Sequence, residues 1–470
     1  MNLLWQRFTL SNLPFREYLS TSYLHRGLVG SLSAWRQTSL LLRWGEAIAC
    51  ALLSLVYGLA PFVSTEIIGL LLVACIGFWL LLTISDTPTN INSPTITPIH
   101  LIIFLYWGVA VAAAALSPVK KAALGDLRNF TLYILLFVVC ARVLKTPRFR
   151  SFLIALYLHV SLFVSIYGVR QKFFGAAQLA TWVDPESPLA KNTRVYSYLG
   201  NPNLLAGYLL PAIVLSLIAI FAWQRLALKF LALTMLIVNL ACFRFADSRG
   251  AFIGIAVAAV VLIVGLRYWY SRYLPPFWRT WLIPMFFAGL IGAFAIGYEM
   301  SDVFKLRINS MFAGSKDSSN NFRIQVWNAV FKMIRDRPIL GIGPGHASFN
   351  SMYPFYQIRR FTALSSYSVF LEHIVEMGFI GLSAFLWLLT IIFNTAIIQL
   401  RRFRAENTVD GLWIIGAIAS LVAMLGHGLV DTVWYRPAIN TLWWFMAAII
   451  ASYWIPKSPV EAVTDSPNRH

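Results

Sequence analysis

The sequence predicts an all-α, polytopic integral membrane protein with about twelve transmembrane helices and one long folded extracytoplasmic loop. Three observations carry this reading. Of 470 residues, 59% are hydrophobic and only 12% charged, where soluble domains run at roughly 45–50% and about 25%. Mean hydropathy is +0.68, and runs near the roughly 20 apolar residues that a bilayer-crossing helix needs recur along the chain. Aromatic residues make up 15%, with 17 Trp and 19 Tyr, as suits many turns at the lipid–water boundary. Together these exclude a soluble globular enzyme and a disordered chain.

Residues 1-43 are polar and aromatic, carry Arg7, Arg16, Arg26, Arg36 and Arg43, and lack the pattern of a cleavable signal. They read as a cytoplasmic lead-in with room for an interfacial helix. A membrane domain follows over 44-455, with spans expected at 44-60, 66-85, 99-116, 130-144, 152-168, 203-222, 226-243, 251-270, 281-299, 369-399 (broken near Gly378), 411-430 and 440-455. Residues 456-470 form a cytoplasmic tail. Cys50, Cys75, Cys140 and Cys242 all lie in apolar stretches without a CxxC pair, so neither a disulfide framework nor a zinc site is expected.

Lys and Arg outnumber Asp and Glu by 38 to 19, for a net charge of +19. A chain lying mostly in lipid has little surface for a duplex, so nucleic acid is not the expected partner. Membrane lipids and an anionic ligand at the membrane surface are. With the N-terminus inside, the positives divide evenly, 19 on each side. Long loops translocate largely regardless of charge. Leaving out residues 169-202 and 300-368 removes thirteen outside positives and leaves 19 against six, which favours N-in and C-in. A multi-pass protein of a bacterial inner (plasma) membrane is the expected setting.

The thirteen excluded positives lie in two loops that this orientation places outside. Within 300-368, Ser318-Ser319-Asn320 can cap a helix from about Asn321 to Asp336, with Phe322, Val326, Val330, Phe331 and Ile334 on its apolar side. Arg337-Pro338 ends it, and Gly341-Ile342-Gly343-Pro344-Gly345 reads as a backbone bend. That turn lacks the preceding strand, the spacing and the Lys-Ser/Thr of a phosphate-cradling loop.

Asp247-Ser248-Arg249-Gly250 stands directly before a span, with Gly250 allowing close approach by a backbone or ligand. Arg323 falls in the first turn of the expected loop helix, against the helix dipole. Arg194 precedes Tyr196 and Asn201-Pro202-Asn203, just before another span. Three always-charged forked guanidiniums suit a phosphate or pyrophosphate; the plainer reading is that they contact lipid headgroups. His427 and Asp431 share a helix face and read as a polar pair closing a helix end, with Arg436 as a candidate partner. His159 reads as a satisfied core histidine. Glu372, His373 and Glu376 open the span at 369-399 and are expected to be solvated or to neutralise the loop arginines, with a proton relay or cation site as the alternative.

At these residues the chain resembles the O-antigen ligase and polymerase superfamily of bacterial membrane proteins. The matching pieces are Arg194 through Asn201-Pro202-Asn203 to Ala206, Ser248-Arg249-Gly250, and Asn321-Phe322-Arg323 with Trp327. Further on come Asp336-Arg337-Pro338 with Gly341-Ile342-Gly343, and Leu371-Glu372, Glu376-Met377-Gly378 and Gly381. The similarity covers about residues 190-440. More narrowly, the chain is similar to cyanobacterial inorganic-carbon-accumulation proteins named as bicarbonate transporters. The shared wording is Ala180-Thr181-Trp182-Val183-Asp184, Val195 to Asn203, Asp317 to Arg323, and Leu425-Gly426-His427-Gly428-Leu429.

The wider resemblance implies a metal-independent transfer, without cofactor, of a glycan from undecaprenyl pyrophosphate to an acceptor hydroxyl. Arg249 and Arg323 would hold the pyrophosphate, with Arg194 as the third anion-binding residue and Asn201, Asn203 and Ser248 in support. A His opening the span at 369-399 would activate the acceptor, but here Tyr367 stands in its place. A phenol, with a reference pKa near 10, is a poor base at neutral pH. His373 lies roughly 9 Å further along the helix. The narrower resemblance implies inorganic-carbon (bicarbonate) transport or accumulation, with the arginines serving the small anion. No inverted repeat or pair of discontinuous helices of the kind common in carriers is visible.

Overall fold

The computed structural model describes residues 3–11, 13, 22–86, 96–176, 194–300, 318–358 and 362–455, with 302, 305, 306, 308, 309 and 314. The Ala180–Asp184 stretch, Asp317 and the 456-470 tail lie outside the described residues. The described residues are helical and contain no strand. Among the described residues, ten helices are long and apolar enough to cross a membrane, and two shorter apolar ones accompany them.

In chain order these are α1 (Gly45–Leu59), α2 (Thr65–Ile84), α3 (Pro98–Ala115), α4 (Lys120–Val143), α5 (Pro147–Phe174), α6 (Pro202–Ala222), α7 (Leu226–Ala246), α8 (Arg249–Tyr270) and α9 (Pro276–Met300). The long loop supplies α10 (Ser318–Asp336) and α11 (His346–Met352). The last three are α12 (Val369–Glu406), α13 (Asp410–Gly428) and α14 (Pro437–Ser452). Every expected span coincides with one of the twelve apolar helices. The two short ones, 130-144 and 152-168, extend to 24 and 28 residues because polar turns continue the helix beyond the apolar run.

α6 sits at the centre, with residues Leu204–Ser216 all buried. Its start is set by Asn201, whose Oδ1 accepts from the Asn203 N–H at 2.7 Å, with Pro202 at the first helical position. α13 packs against both α6 and α8, and α12 against α3. α9 buries none of its apolar window against the other described residues. The four cysteines are buried free thiols.

One feature of the bundle differs from expectation, the placement of His159. The N-terminal segment, read as a lead-in with room for an interfacial helix, does carry a helix. Its short helix Leu3–Phe8 lies along α12, with Trp5 Nε1 donating to Asn394 Oδ1 at 3.0 Å and Trp387 Nε1 donating to the Phe8 carbonyl at 2.8 Å. His159 is no core histidine. It is exposed on the outer face of α5, its Nδ1 satisfied by the Ala155 carbonyl at 2.7 Å, one turn back.

At the end of the bundle where α1 starts and α14 finishes, cations pair across helices. Arg142 reaches Glu46 at 2.7 Å and Asp86 at 2.7 Å, Asp86 also pairs with Arg36, and Arg150 meets Asp410 at 3.4 Å. Arg142 thereby ties α4 to α1 and to the end of α2. Arg142→Gln is expected to cost on the order of 2 kcal/mol, since its four hydrogen bonds to carboxylates are lost at a partly exposed site. A lowered melting temperature in detergent is the measurement; Glu46→Gln should lower it less, because Asp86 still holds the guanidinium.

The loop folds onto the opposite end. α10 begins at Ser318, so Ser318-Ser319-Asn320 are its first turn and not a cap. Its buried side is Val326, Ala329, Val330, Met333 and Ile334, with Phe322 partly covered, while Phe331 faces outward. These pack with Ile342, Phe349, Tyr353 and Val375 into a second apolar cluster.

The expected break at Gly378 is present: its φ of 68° and ψ of −171° interrupt α12. The loop backbone fills the gap. Ile342 N–H donates to the Val375 carbonyl at 3.0 Å, Gly343 N–H to the Glu376 carbonyl at 2.9 Å, and Phe379 N–H to the Pro338 carbonyl at 2.8 Å. Gly341, with φ 65°, presses against the Glu376 backbone. The glycine turn is thus a docking element against the broken helix, as a backbone bend there requires.

Candidate functional site

Four helix ends meet beneath α10: the starts of α6, α8 and α12 and the end of α13. Between α7 and α8 the chain reverses within two residues, Asp247 taking φ 49° and Ser248 extended. Arg249 then opens α8. Its Nη1 donates to Asn320 Oδ1 at 3.1 Å, which ties α8 to the first turn of α10. Ser248 is buried with its Oγ unbonded.

One turn along α10, Arg323 is 16% exposed and its Nη2 stands 3.9 Å from Asp431 Oδ2. Because α10 starts at Ser318, Arg323 belongs to the second turn and the dipole does not oppose it. Asp431 explains its placement. The same Oδ2 accepts from Asn203 Nδ2 at 2.7 Å, and Asp431 Oδ1 accepts from the Thr432 N–H at 2.9 Å. Asn203 Oδ1 in turn accepts from Arg194 Nη2 at 2.8 Å, while Arg194 Nε donates to the Ala246 carbonyl at 3.0 Å.

Arg194, Arg249 and Arg323, from three distant parts of the chain, therefore share one network. Asp431 binds the Arg194 and Arg323 branches together, and Asn320 links Arg249 to the helix that carries Arg323. Asn201 caps α6, holding Asn203 in place.

His427 lies under the network, fully buried, with Nε2 3.9 Å from Asp431 Oδ2 and no hydrogen bond to either ring nitrogen. It fits because α6 and α8 present Gly207 and Gly250 to the ring: a Cβ on Gly250 would stand 2.8 Å from His427 Cδ2. The close approach at Gly250 is thus made by a side chain. The expected His427–Asp431 pair is present as a loose contact, but Arg436 is not its partner. Arg436 lies over the Tyr435 ring, 5.5 Å from its centroid.

Tyr367 stands before α12 at φ 52° and packs edge-on against Phe322, with centroids 5.5 Å apart. Burial, and then the nearby Asp431 charge, push its phenol up to about 12, with Arg323 opposing. Tyr367 thus sits beside the network but is no proton acceptor near neutral pH.

Glu372, His373 and Glu376 are not solvated and do not pair with the arginines. Glu376 is 8% and His373 9% exposed, and all three face a separate cavity between α3, α4, α12 and α14. They turn inward because segment 338–346 folds over that end of α12.

The network uses two residues that sequence reasoning did not place in a site. Asn320 was assigned to a cap, although its i, i+3 spacing from Arg323 is a usable signal. Asp431 reads in sequence as the partner of His427, with Arg436 as a candidate, because Asn203 and Arg323 are remote in sequence.

Comparison with known proteins bears on this region directly. Residues 234–386 match the O-antigen ligase family model. This O-antigen ligase-like segment takes in Ser248, Arg249, Asn320, Arg323 and Tyr367, and runs through the break at Gly378. It covers about a third of the chain. Arg194, Asn203, His427 and Asp431 lie outside it and complete the network around the ligase-like core. No curated protein matches the chain.

Proposed function

We propose that this multi-pass, ligase-type membrane protein binds the phosphate or pyrophosphate of a lipid-linked donor at Arg249 and Arg323, on the side away from the cytoplasm, and transfers the attached glycan to an acceptor hydroxyl. The observation that carries the reading is one network from the O-antigen ligase-like segment and its surroundings: Arg323 contacts Asp431, Arg194 reaches the same carboxylate through Asn203, and Arg249 is bonded to Asn320, one turn before Arg323. At 3.9 Å, Arg323 holds Asp431 loosely enough for a phosphate oxygen to compete.

In the transfer, the acceptor oxygen forms a bond to the anomeric carbon as the bond to the pyrophosphate oxygen breaks. The guanidiniums offset the charge that grows on the departing pyrophosphate. The acceptor proton passes to Asp431, the acid that contacts Arg323. Arg194 and Asn203 act as positioning residues for that carboxylate. The chemistry needs no metal or cofactor.

Tyr367 is the observation that favours a second reading, in which the arginines serve a small anion such as bicarbonate. A phenol pushed up to about 12 cannot supply the base that the resemblance implies. One experiment separates the two. Purified protein in liposomes receives a polyprenyl-pyrophosphate glycan and an acceptor in one arm, and labelled bicarbonate under an ion gradient in the other. Transfer supports the ligase reading; flux without transfer overturns it. In the transfer arm, Tyr367→His is expected to leave the rate intact or raise it, by up to about 10²-fold, because an imidazole near pKa 6.5 supplies a general base.

A further inference from the structure

The cavity beside Glu372, His373 and Glu376 has a volume of about 410 Å3, and none of the arginines or Asp431 lines it. Its wall holds no Lys or Arg, although the chain carries a net +19. Glu372 and Glu376 sit one helical turn apart, and neither has a cationic partner among the described residues. The third acid, Asp126, is already committed: its Oδ2 accepts from the Ala347 and Ser348 N–H groups at 2.6 and 3.1 Å. A carboxylate this deep needs a positive partner to stay ionised.

An independent observation comes from His373. Its ring is nine-tenths buried in the cavity wall, and Nδ1 is engaged by the Val369 carbonyl at 2.8 Å. With Nδ1 donating, Nε2 is an acceptor without a hydrogen bond among the described residues. The wall thus offers two carboxylates and a bare imidazole nitrogen, framed by the rings of Tyr106, Trp434, Tyr435 and Trp443. Carboxylates and a bare imidazole nitrogen accept from N–H donors, of which a primary ammonium carries three, and aromatic faces attract the same cation. No group of three or more acid, His or Cys ligands among the described residues could hold a metal ion.

We propose that this cavity binds the primary ammonium group of an organic amine. The same chemistry is offered by an ethanolamine lipid headgroup and by a water-soluble amine. The inference stands apart from the phosphate reading, because its test involves neither the arginines nor transfer.

The test is the melting temperature of the full chain in detergent, titrated with ethanolamine against ethylene glycol at matched ionic strength. Ethanolamine is expected to raise it in a saturable way, by mass action on the folded state, while the isosteric diol does not. Glu376→Gln should weaken the apparent affinity at least tenfold, and Glu372→Gln likewise. Equal shifts with both compounds, or none with ethanolamine, overturn the proposal even if the variants fail to fold. The source follows from repeating the titration in nanodiscs. Loss of the response in phosphatidylethanolamine but not phosphatidylcholine assigns the lipid headgroup, and an unchanged response in both assigns a soluble amine.

Discussion

Arg323→Ala is expected to lower glycan transfer by about 10²–10³-fold, the loss typical of removing one preorganised donor from a developing negative charge. The side chain is 16% exposed, so water replaces it poorly, and it is the arginine that contacts Asp431 directly. Arg323→Lys keeps a charge but not the fork, and should recover only part of the rate. Loss of the guanidinium also leaves Asp431 beside an unbonded His427, so a fall in stability must be separated from a fall in chemistry. Combining Arg323→Ala with Asp431→Asn does this: the pair should recover melting temperature without recovering transfer. Transfer at the wild-type rate by Arg323→Ala would remove the arginine from the mechanism.

The largest structural effect is expected at Gly378. Its φ of 68° with ψ near 180° belongs to a region that residues with a Cβ scarcely enter. A Cβ there would also overlap the Ile339 carbonyl, which is backbone and cannot swing aside. Gly378→Ala should therefore cost at least about 3 kcal/mol in local docking energy. The loss is expected where the loop bonds to the break, at Pro338, Ile342 and Gly343. Limited proteolysis would read it as new cleavage in the 338–345 turn, with the far-end Arg142 cluster unaffected. An alanine variant with wild-type protection would mean that the break is not held by this contact.

Much of the fold is legible in the sequence because each crossing is a long apolar run, and burial in lipid does not depend on what a helix faces. Facing is harder to read. α5 is apolar nearly all round, so nothing in its pattern shows that His159 points outward. α10 already includes Ser318, so Asn320 lies within the helix, and its partner Arg249 is 71 residues away. Glu372, His373 and Glu376 look like an interfacial cluster until segment 338–346 closes over them.

For the candidate site, Arg249, Arg323 and Arg194 stand out as cations set against helix starts. The residue that gathers two of them does not: Asp431 meets Asn203 across 228 residues. Tyr367 is informative in sequence as a departure from the family pattern. Its place between Phe322 and the Asp431–Arg323 contact is tertiary information.

The central claim is that the arginine network holds the phosphate of a lipid. Native mass spectrometry of gently purified protein tests it most directly, wild type against the Arg249→Ala, Arg323→Ala double variant. The account predicts a co-purifying polyprenyl phosphate or pyrophosphate in the wild type that is lost in the variant, with ordinary membrane lipids retained by both. A wild type carrying no phosphorylated polyprenyl lipid, or a variant carrying it equally, would contradict the account.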